Sequence, residues 1–156
     1  MHIEPASFQD AAEILALQRF SYQGQAELYG QFNIPPLTQT LDEILLQFGN
    51  MVILKAVENG TIFGSVRAYQ EGTTAYIGRL FVHPERRCHG IGADLMDAVE
   101  AEFPAATRFE LFTDHRNEKI IRFYQRLGYR IFRHETVAEA RTLAFLEKIR
   151  EDAACE

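Results

Sequence analysis

The sequence predicts an α+β fold: a mixed, mostly antiparallel central sheet flanked by helices. Three features predict it. Two capping-box helices come before any long strand. Three apolar runs then follow one another with only tight turns between them, as in an antiparallel meander. Finally, from Tyr76 to Glu100, a strand, a glycine-punctuated basic turn and an amphipathic segment follow in that order.

Taken along the chain, His2–Glu4 reads as a short strand. Ser7-Phe8-Gln9-Asp10 has the form of a capping box, and Ile14, Leu15, Leu17 and Phe20 repeat at helical spacing behind it. Residues 21–39 are less regular and carry Tyr22, Tyr29, Phe32 and Pro35-Pro36, which predicts a loop or a short broken helix. Thr40-Leu41-Asp42-Glu43 is a second capping box, opening a helix through Phe48 that stops at Gly49. Met51–Val57 is apolar and β-branched, and Ile62–Tyr69 returns after Glu58-Asn59-Gly60-Thr61. Asn-Gly readily takes the positive φ angles of a hairpin turn. Glu71-Gly72-Thr73 turns the chain into a third strand, Thr74–Val82. A helix over about 92–103, a strand Phe109–Thr113 and a helix over about 117–127 follow, the last stopped by Gly128 as a C-cap. Tyr129–Arg133 and Thr142–Glu147 read as closing strands. No repeat, low-complexity tract or linker interrupts the chain, so residues 1–156 are expected to form one domain.

Composition narrows the function classes. The 156 residues include 16 basic and 22 acidic ones, a net charge of −6, so the chain as a whole is not built to attract nucleic acid. The basic residues at positions 86–89 stand against that acidic background. The two cysteines, Cys88 and Cys155, lie far apart and make neither a disulfide framework nor a metal-binding CxxC, so no metal is expected. No basic start followed by an apolar stretch is evident, and no run approaches the roughly 18 to 20 apolar residues of a membrane span. A reduced, cytoplasmic setting away from membranes is the resulting expectation.

Arg86-Arg87-Cys88-His89-Gly90-Ile91-Gly92 sits between a strand and a helix start. Glycines let the backbone approach an anion, and successive N–H groups at a helix N-terminus point at its charge. The implied ligand is a diphosphate attached to something larger. A dinucleotide turn is disfavoured: it wants Gly-x-Gly-x-x-Gly in an early βαβ unit, with an acid about 20 positions on. Only Gly90 and Gly92 fit, and a meander precedes them. No Gly-Lys-Ser/Thr of a P-loop occurs.

Arg87-Cys88-His89-Gly90-Ile91-Gly92, with the preceding Leu80-Phe81-Val82-His83-Pro84, resembles the Arg/Gln-x-x-Gly-x-Gly/Ala signature of the GCN5-related N-acetyltransferases. A second stretch, Asn117 through Tyr124 to Leu127-Gly128-Tyr129, resembles that family's next motif, an Asn followed seven residues later by a Tyr and then Leu-Gly-aromatic. The resemblance implies that Arg87 to Gly92, with Ala93, hold the pyrophosphate of acetyl-coenzyme A, the co-substrate. It implies that the main chain of Leu80, Phe81 and Val82 pairs with the pantetheine like an added strand. It also implies that Asn117 contacts the pantetheine and that Tyr124 protonates the leaving thiolate. Asn117 reads equally as a helix N-cap, and Tyr124 as a core aromatic.

The resemblance breaks at the base. Many relatives carry a Glu on the strand leading into the loop, where this chain has Tyr76-Ile77-Gly78-Arg79. Glu110 on the next strand is one substitute, with facing solvent or pairing to an Arg as its ordinary structural role, and Glu27 and Tyr29 in the N-terminal segment are another. The family's acceptor wall falls in the N-terminal segment, where Tyr22, Glu27 and Tyr29 are candidates to receive an amine. Arg79 is a candidate to meet a substrate carboxylate or to pair with an acid across the sheet. The implied protein is an acetyl-coenzyme A-dependent N-acetyltransferase acting on a small-molecule or peptide amine in a ternary complex. The alternatives are a non-catalytic acyl-coenzyme A-binding module and a transferase for a longer acyl group. A homodimer through an exposed strand or the C-terminal segment is a further expectation.

Overall fold

The computed structural model describes residues 1–138 and 141–150. Its elements are β1 (His2–Pro5), α1 (Ala11–Tyr29), α2 (Pro35–Thr38), α3 (Leu41–Gln47), β2 (Val52–Glu58), β3 (Thr61–Glu71), β4 (Thr74–Val82), α4 (Ile91–Ala101), β5 (Arg108–Asp114), α5 (Glu118–Arg126), β6 (Arg130–Ala138) and β7 (Arg141–Ile149). Seven strands form one sheet in the order β1-β2-β3-β4-β5-β7-β6. β1–β2, β2–β3, β5–β7 and β6–β7 are antiparallel, and β4–β5 is parallel. The expected mixed, mostly antiparallel sheet is therefore present. The C-terminal segment with Cys155, one of the two expected dimer surfaces, lies outside the described residues.

The chain divides into two compact units. The first comprises Met1–Tyr69 and Arg79–Glu102; the second comprises Gln70–Gly78 and the described residues from Phe103 onward.

In the first unit, Ile14 and Leu17 of α1 and Ile44 of α3 pack with Ile53, Val57, Ile62 and Phe81 in one buried cluster. Thr40 caps α3, accepting from the Glu43 amide at 3.2 Å while Glu43 accepts from the Thr40 amide at 2.9 Å. Asn59 (φ 52) and Gly60 (φ 77) both take the left-handed conformation that turns β2 into β3. β3 and β4 approach α4 so closely at Gly64 that a Cβ there would lie 2.9 Å from the Phe81 carbonyl oxygen and 3.1 Å from Leu95 Cδ1. Only glycine fits that crossing without displacing backbone.

Residues 21–29 correct the sequence reading. They continue α1, which ends at Gly30 (φ 66). Ser21 and Ala26 are buried, and this tertiary packing outweighs the helix-weakening Gly24 and aromatic residues. A short helix does form further on, but only over Pro35–Thr38.

In the second unit, Phe109 and Leu111 of β5 and Leu143 to Leu146 of β7 are buried, whereas β6 is exposed over most of its length. Asn117 caps α5 and Gly128 (φ 100) reverses the chain after it. The buried Tyr124 and Tyr129 rings meet edge to face at 5.9 Å.

Candidate active site

The loop ahead of α4 is built by two left-handed residues, Cys88 (φ 68) and Gly90 (φ 82). Gly90 is the N-cap of α4, and the first intrahelical bond runs from the Asp94 amide to the Gly90 carbonyl at 3.0 Å. The amides of Ile91, Gly92 and Ala93 are thus the first-turn donors that an α-helix leaves without internal partners. With the positive end of the helix dipole behind them, they suit an anion. Ile91 is buried and anchors this first turn, while His89 and Gly90 are exposed.

The basic residues of the loop divide their work. Arg86 pairs with Glu58 at 2.9 Å and stacks on Phe63 at 4.0 Å, so it braces the loop rather than reaching out. Arg87 donates through Nη2 to the Ser21 carbonyl of α1 at 2.9 Å. His89 Nδ1 lies 3.0 Å from the Arg86 carbonyl. Cys88 is an exposed free thiol.

β4 leads into this loop with a break in its pleat. Arg79 takes φ 50, a left-handed value rare for a residue with a side chain. Beyond it, Phe81 is buried and packs edge to face on Tyr22 at 6.3 Å, while Leu80 and Val82 are half-buried. The Leu80 carbonyl accepts from the Tyr22 hydroxyl at 3.2 Å. Burial pushes the Tyr22 phenol up, against the opposing pull of Arg79, Arg67 and Arg87. Of the other proposed acceptor residues, Glu27 is exposed and Tyr29 half-buried in the last turns of α1.

Sequence reading missed Arg67. It is fully buried on β3 and donates through Nη1 to Gln39 Oε1 and Gln47 Oε1, both at 2.9 Å, and through Nη2 to Gln18 Oε1. Burial, reinforced by Arg79 and opposed by Tyr22, lowers it to about 10, so it remains charged at neutral pH. One signal was available: Val66-Arg67-Ala68 puts a charge inside an apolar strand. Nothing in the sequence shows that Gln18, Gln39 and Gln47 converge on it.

In the second unit, the Asn117 side chain accepts from the Ile120 amide at 3.3 Å, the ordinary N-cap role. Tyr124 is buried, with Phe123 and Tyr129 at its ring edges. Glu110 pairs with Arg108 at 2.9 Å, and the same guanidinium holds Glu147 at 2.8 Å. Burial works against the Arg108 charge, but Glu147 and Glu110 outweigh it and raise the group above its ordinary value. Beside the start of α5, Asp114 accepts from Arg116 Nη2 at 2.8 Å, and His115 Nδ1 lies 2.9 Å from the Thr142 carbonyl.

Against this geometry, the sequence matches the Acetyltransferase (GNAT) family over residues 12–129. The chain belongs to the GNAT acetyltransferase family. The match takes in both the Gly90 loop and the Asn117–Tyr124 helix of this GNAT chain. A curated relative, UPF0157 protein YqkA of Bacillus subtilis (strain 168), is 29% identical over 133 residues, covering 85% of this chain. The chain spans 38% of that protein's length. Among solved structures, the PaiA N-acetyltransferase of Thermoplasma acidophilum, in complex with coenzyme A, aligns with a TM-score of 0.77 at 18% identity, covering 96% of this chain and 99% of that one. The ribosomal-protein-S18-alanine N-acetyltransferase of Escherichia coli aligns with a TM-score of 0.80 at 12% identity, covering 97% and 95%. At these identities the likeness is one of fold. No helix of the described residues is long and apolar enough to cross a membrane.

Proposed function

We propose that this chain is an N-acetyltransferase that moves the acetyl group of acetyl-coenzyme A to a primary amine by direct attack. The supporting observation is the loop at the head of α4. A left-handed Gly90 turns the chain so that the Ile91, Gly92 and Ala93 amides open the helix beside Arg87. That donor set fits a pyrophosphate, which needs several N–H groups and a nearby positive charge. Leu80, Phe81 and Val82 would contribute main-chain groups, and Asn117 a contact to the pantetheine in addition to its cap.

In the reaction the amine nitrogen attacks the thioester carbonyl carbon. A nitrogen–carbon bond forms, the carbon–sulfur bond breaks, and the electron pair leaves on sulfur. Tyr124 is the proposed proton donor to that thiolate; a phenol near 10 is a weaker acid than a thiol near 8.5, and the cycle closes when the tyrosinate regains the proton shed by nitrogen through the base. The proton lost by nitrogen passes to a base. Glu110 is the nearby-strand candidate, and its ion pair with Arg108 argues against its acting unaided. The products are an N-acetyl amine and free coenzyme A. Most of the acceleration is assigned to positioning the two substrates together.

A non-catalytic acyl-coenzyme A-binding module is the second reading. It draws support from the absence of a carboxylate in Tyr76–Arg79 and from the paired state of Glu110. Amine-dependent release of thiol from acetyl-coenzyme A separates the two. Turnover with any amine of a broad panel supports the transferase. Coenzyme A binding with no turnover across the panel supports the module.

A further inference from the structure

We propose that Arg67 and Arg79, gathered beside Tyr22, receive a carboxylate carried by the amine acceptor. This deepens the acetyltransferase reading and rests on it for the identity of the acceptor, but not for the existence of an anion site.

The central observation is a charge without a counter-charge. Arg67 is 0% exposed, and each side chain bonded to it is a neutral amide: Gln18, Gln39 and Gln47. Its buried Nε has no hydrogen-bond partner. Among the described residues no ion pair to Arg67 occurs. Charged side chains are almost never fully buried unless paired, because the desolvation cost is otherwise unmet. Three glutamines could have been gathered by a neutral side chain. Retaining a guanidinium makes chemical sense where the missing anion arrives with a ligand.

The neighbouring groups are also positive. Arg79 acts on Arg67 through its charge, and Arg79, Arg67 and Arg87 all act on the Tyr22 phenol, which burial keeps uncharged. One face of α1 draws them together. Gln18 holds Arg67, the Ser21 carbonyl holds Arg87 at 2.9 Å, and the Tyr22 hydroxyl reaches the Leu80 carbonyl at 3.2 Å, one residue past Arg79. Positions 18, 21 and 22 are helical neighbours at i, i+3 and i+4. Guanidinium forks match a planar carboxylate with two parallel hydrogen bonds, which a polyamine or a neutral amide lacks the groups to satisfy.

The test compares matched acceptors in the whole protein: glycine with glycinamide, L-leucine with L-leucinamide, then 1,4-diaminobutane and O-phosphoethanolamine. Thiol release from acetyl-coenzyme A is the readout, with coenzyme A affinity measured by calorimetry. The amino acids should exceed their amides at least tenfold in kcat/KM. Arg79→Gln should bring that ratio close to one through the acceptor KM, with coenzyme A affinity within twofold of wild type. Arg67→Lys, which keeps the buried charge but loses the fork, should reduce the ratio as well. Amides or the diamine used as well as the acids would overturn the proposal, as would a phosphoethanolamine rate above all the amino acids. Equal losses of acceptor and coenzyme A affinity in Arg79→Gln would also overturn it, since the cluster would then serve the donor phosphates. Should no amine turn over, the transferase reading fails, and thermal unfolding decides the anion site on its own. Stabilisation of the wild type, but not of Arg79→Gln, by L-leucine over L-leucinamide upholds it. Equal shifts with both compounds reject it.

Discussion

The Tyr22 hydroxyl donates to the Leu80 carbonyl oxygen at 3.2 Å, joining α1 to β4 across 58 positions of the chain. The bond ties the helix that carries the proposed acceptor residues to the strand that leads into the Gly90 loop. Tyr22→Phe keeps the ring contact with Phe81 and removes only this bond, leaving the Leu80 carbonyl short of a partner. A loss of about 1 kcal/mol is expected. Urea unfolding should show a lower midpoint with an unchanged slope.

Gly90 is required for its backbone rather than for space. Its φ of 82 is left-handed, and a Cβ placed there would meet nothing within 4 Å. A β-branched residue resists that conformation at a cost of roughly 1–2 kcal/mol. Gly90→Val should therefore shift the loop amides and weaken coenzyme A binding by about tenfold, while Gly90→Asn, which tolerates the left-handed region better, should do less harm. Calorimetry on folded variants checks this. Unchanged affinity in Gly90→Val would remove the loop from the donor site.

Tyr124 is buried with its ring fixed by Phe123 and Tyr129, so Tyr124→Phe should fold normally. Loss of a general acid should slow thiol release on the order of 100-fold, with coenzyme A affinity little changed. Single-turnover thiol release and calorimetry, run side by side, make the comparison. An unchanged rate would take the acid role from Tyr124.

Asp114 controls part of the acid stability of the second unit. Burial alone would raise its carboxyl, but the Arg116 side chain and amide outweigh burial and hold it below the ordinary value of 3.8. Because the folded value lies below the unfolded one, its contribution is present above about pH 4 and fades as the pH falls through the folded value. Asp114 is 4% exposed. Asp114→Asn should cost about 2 kcal/mol at pH 7, as expected for removing one partner of a mostly buried pair. Denaturant unfolding at pH 7 and at pH 2 should show the two proteins separated at the first and converging at the second.

Local signals in the sequence carried most of the fold. Asn59-Gly60 and Gly72 are turns because glycine and asparagine accept positive φ, and Thr40-Glu43 caps α3 because the two side chains satisfy each other's amides. The strand Thr74–Val82 has the bounds that its apolar run announced. The same locality explains why the Gly90 loop and the Asn117 cap were legible: each depends on residues within a turn of itself. Residues 21–29 misled because their local composition is poor for a helix, and burial of Ser21 and Ala26 overrides it.

Long-range pairing was a different matter. Glu110 reads from the sequence as a possible base, and only the fold shows its carboxylate held by Arg108 across two positions of β5. Arg67 drew no notice in the sequence, and only the fold brings Gln18, Gln39 and Gln47 from three separate segments to its guanidinium. The sequence by itself determined most of the elements, the turn chemistry and the family, because these follow from spacing and backbone preference. The tertiary structure alone decided which charges are matched and which are not. The reason is physical: the cost of a buried charge depends on the groups that packing places around it, and no local spacing encodes those neighbours.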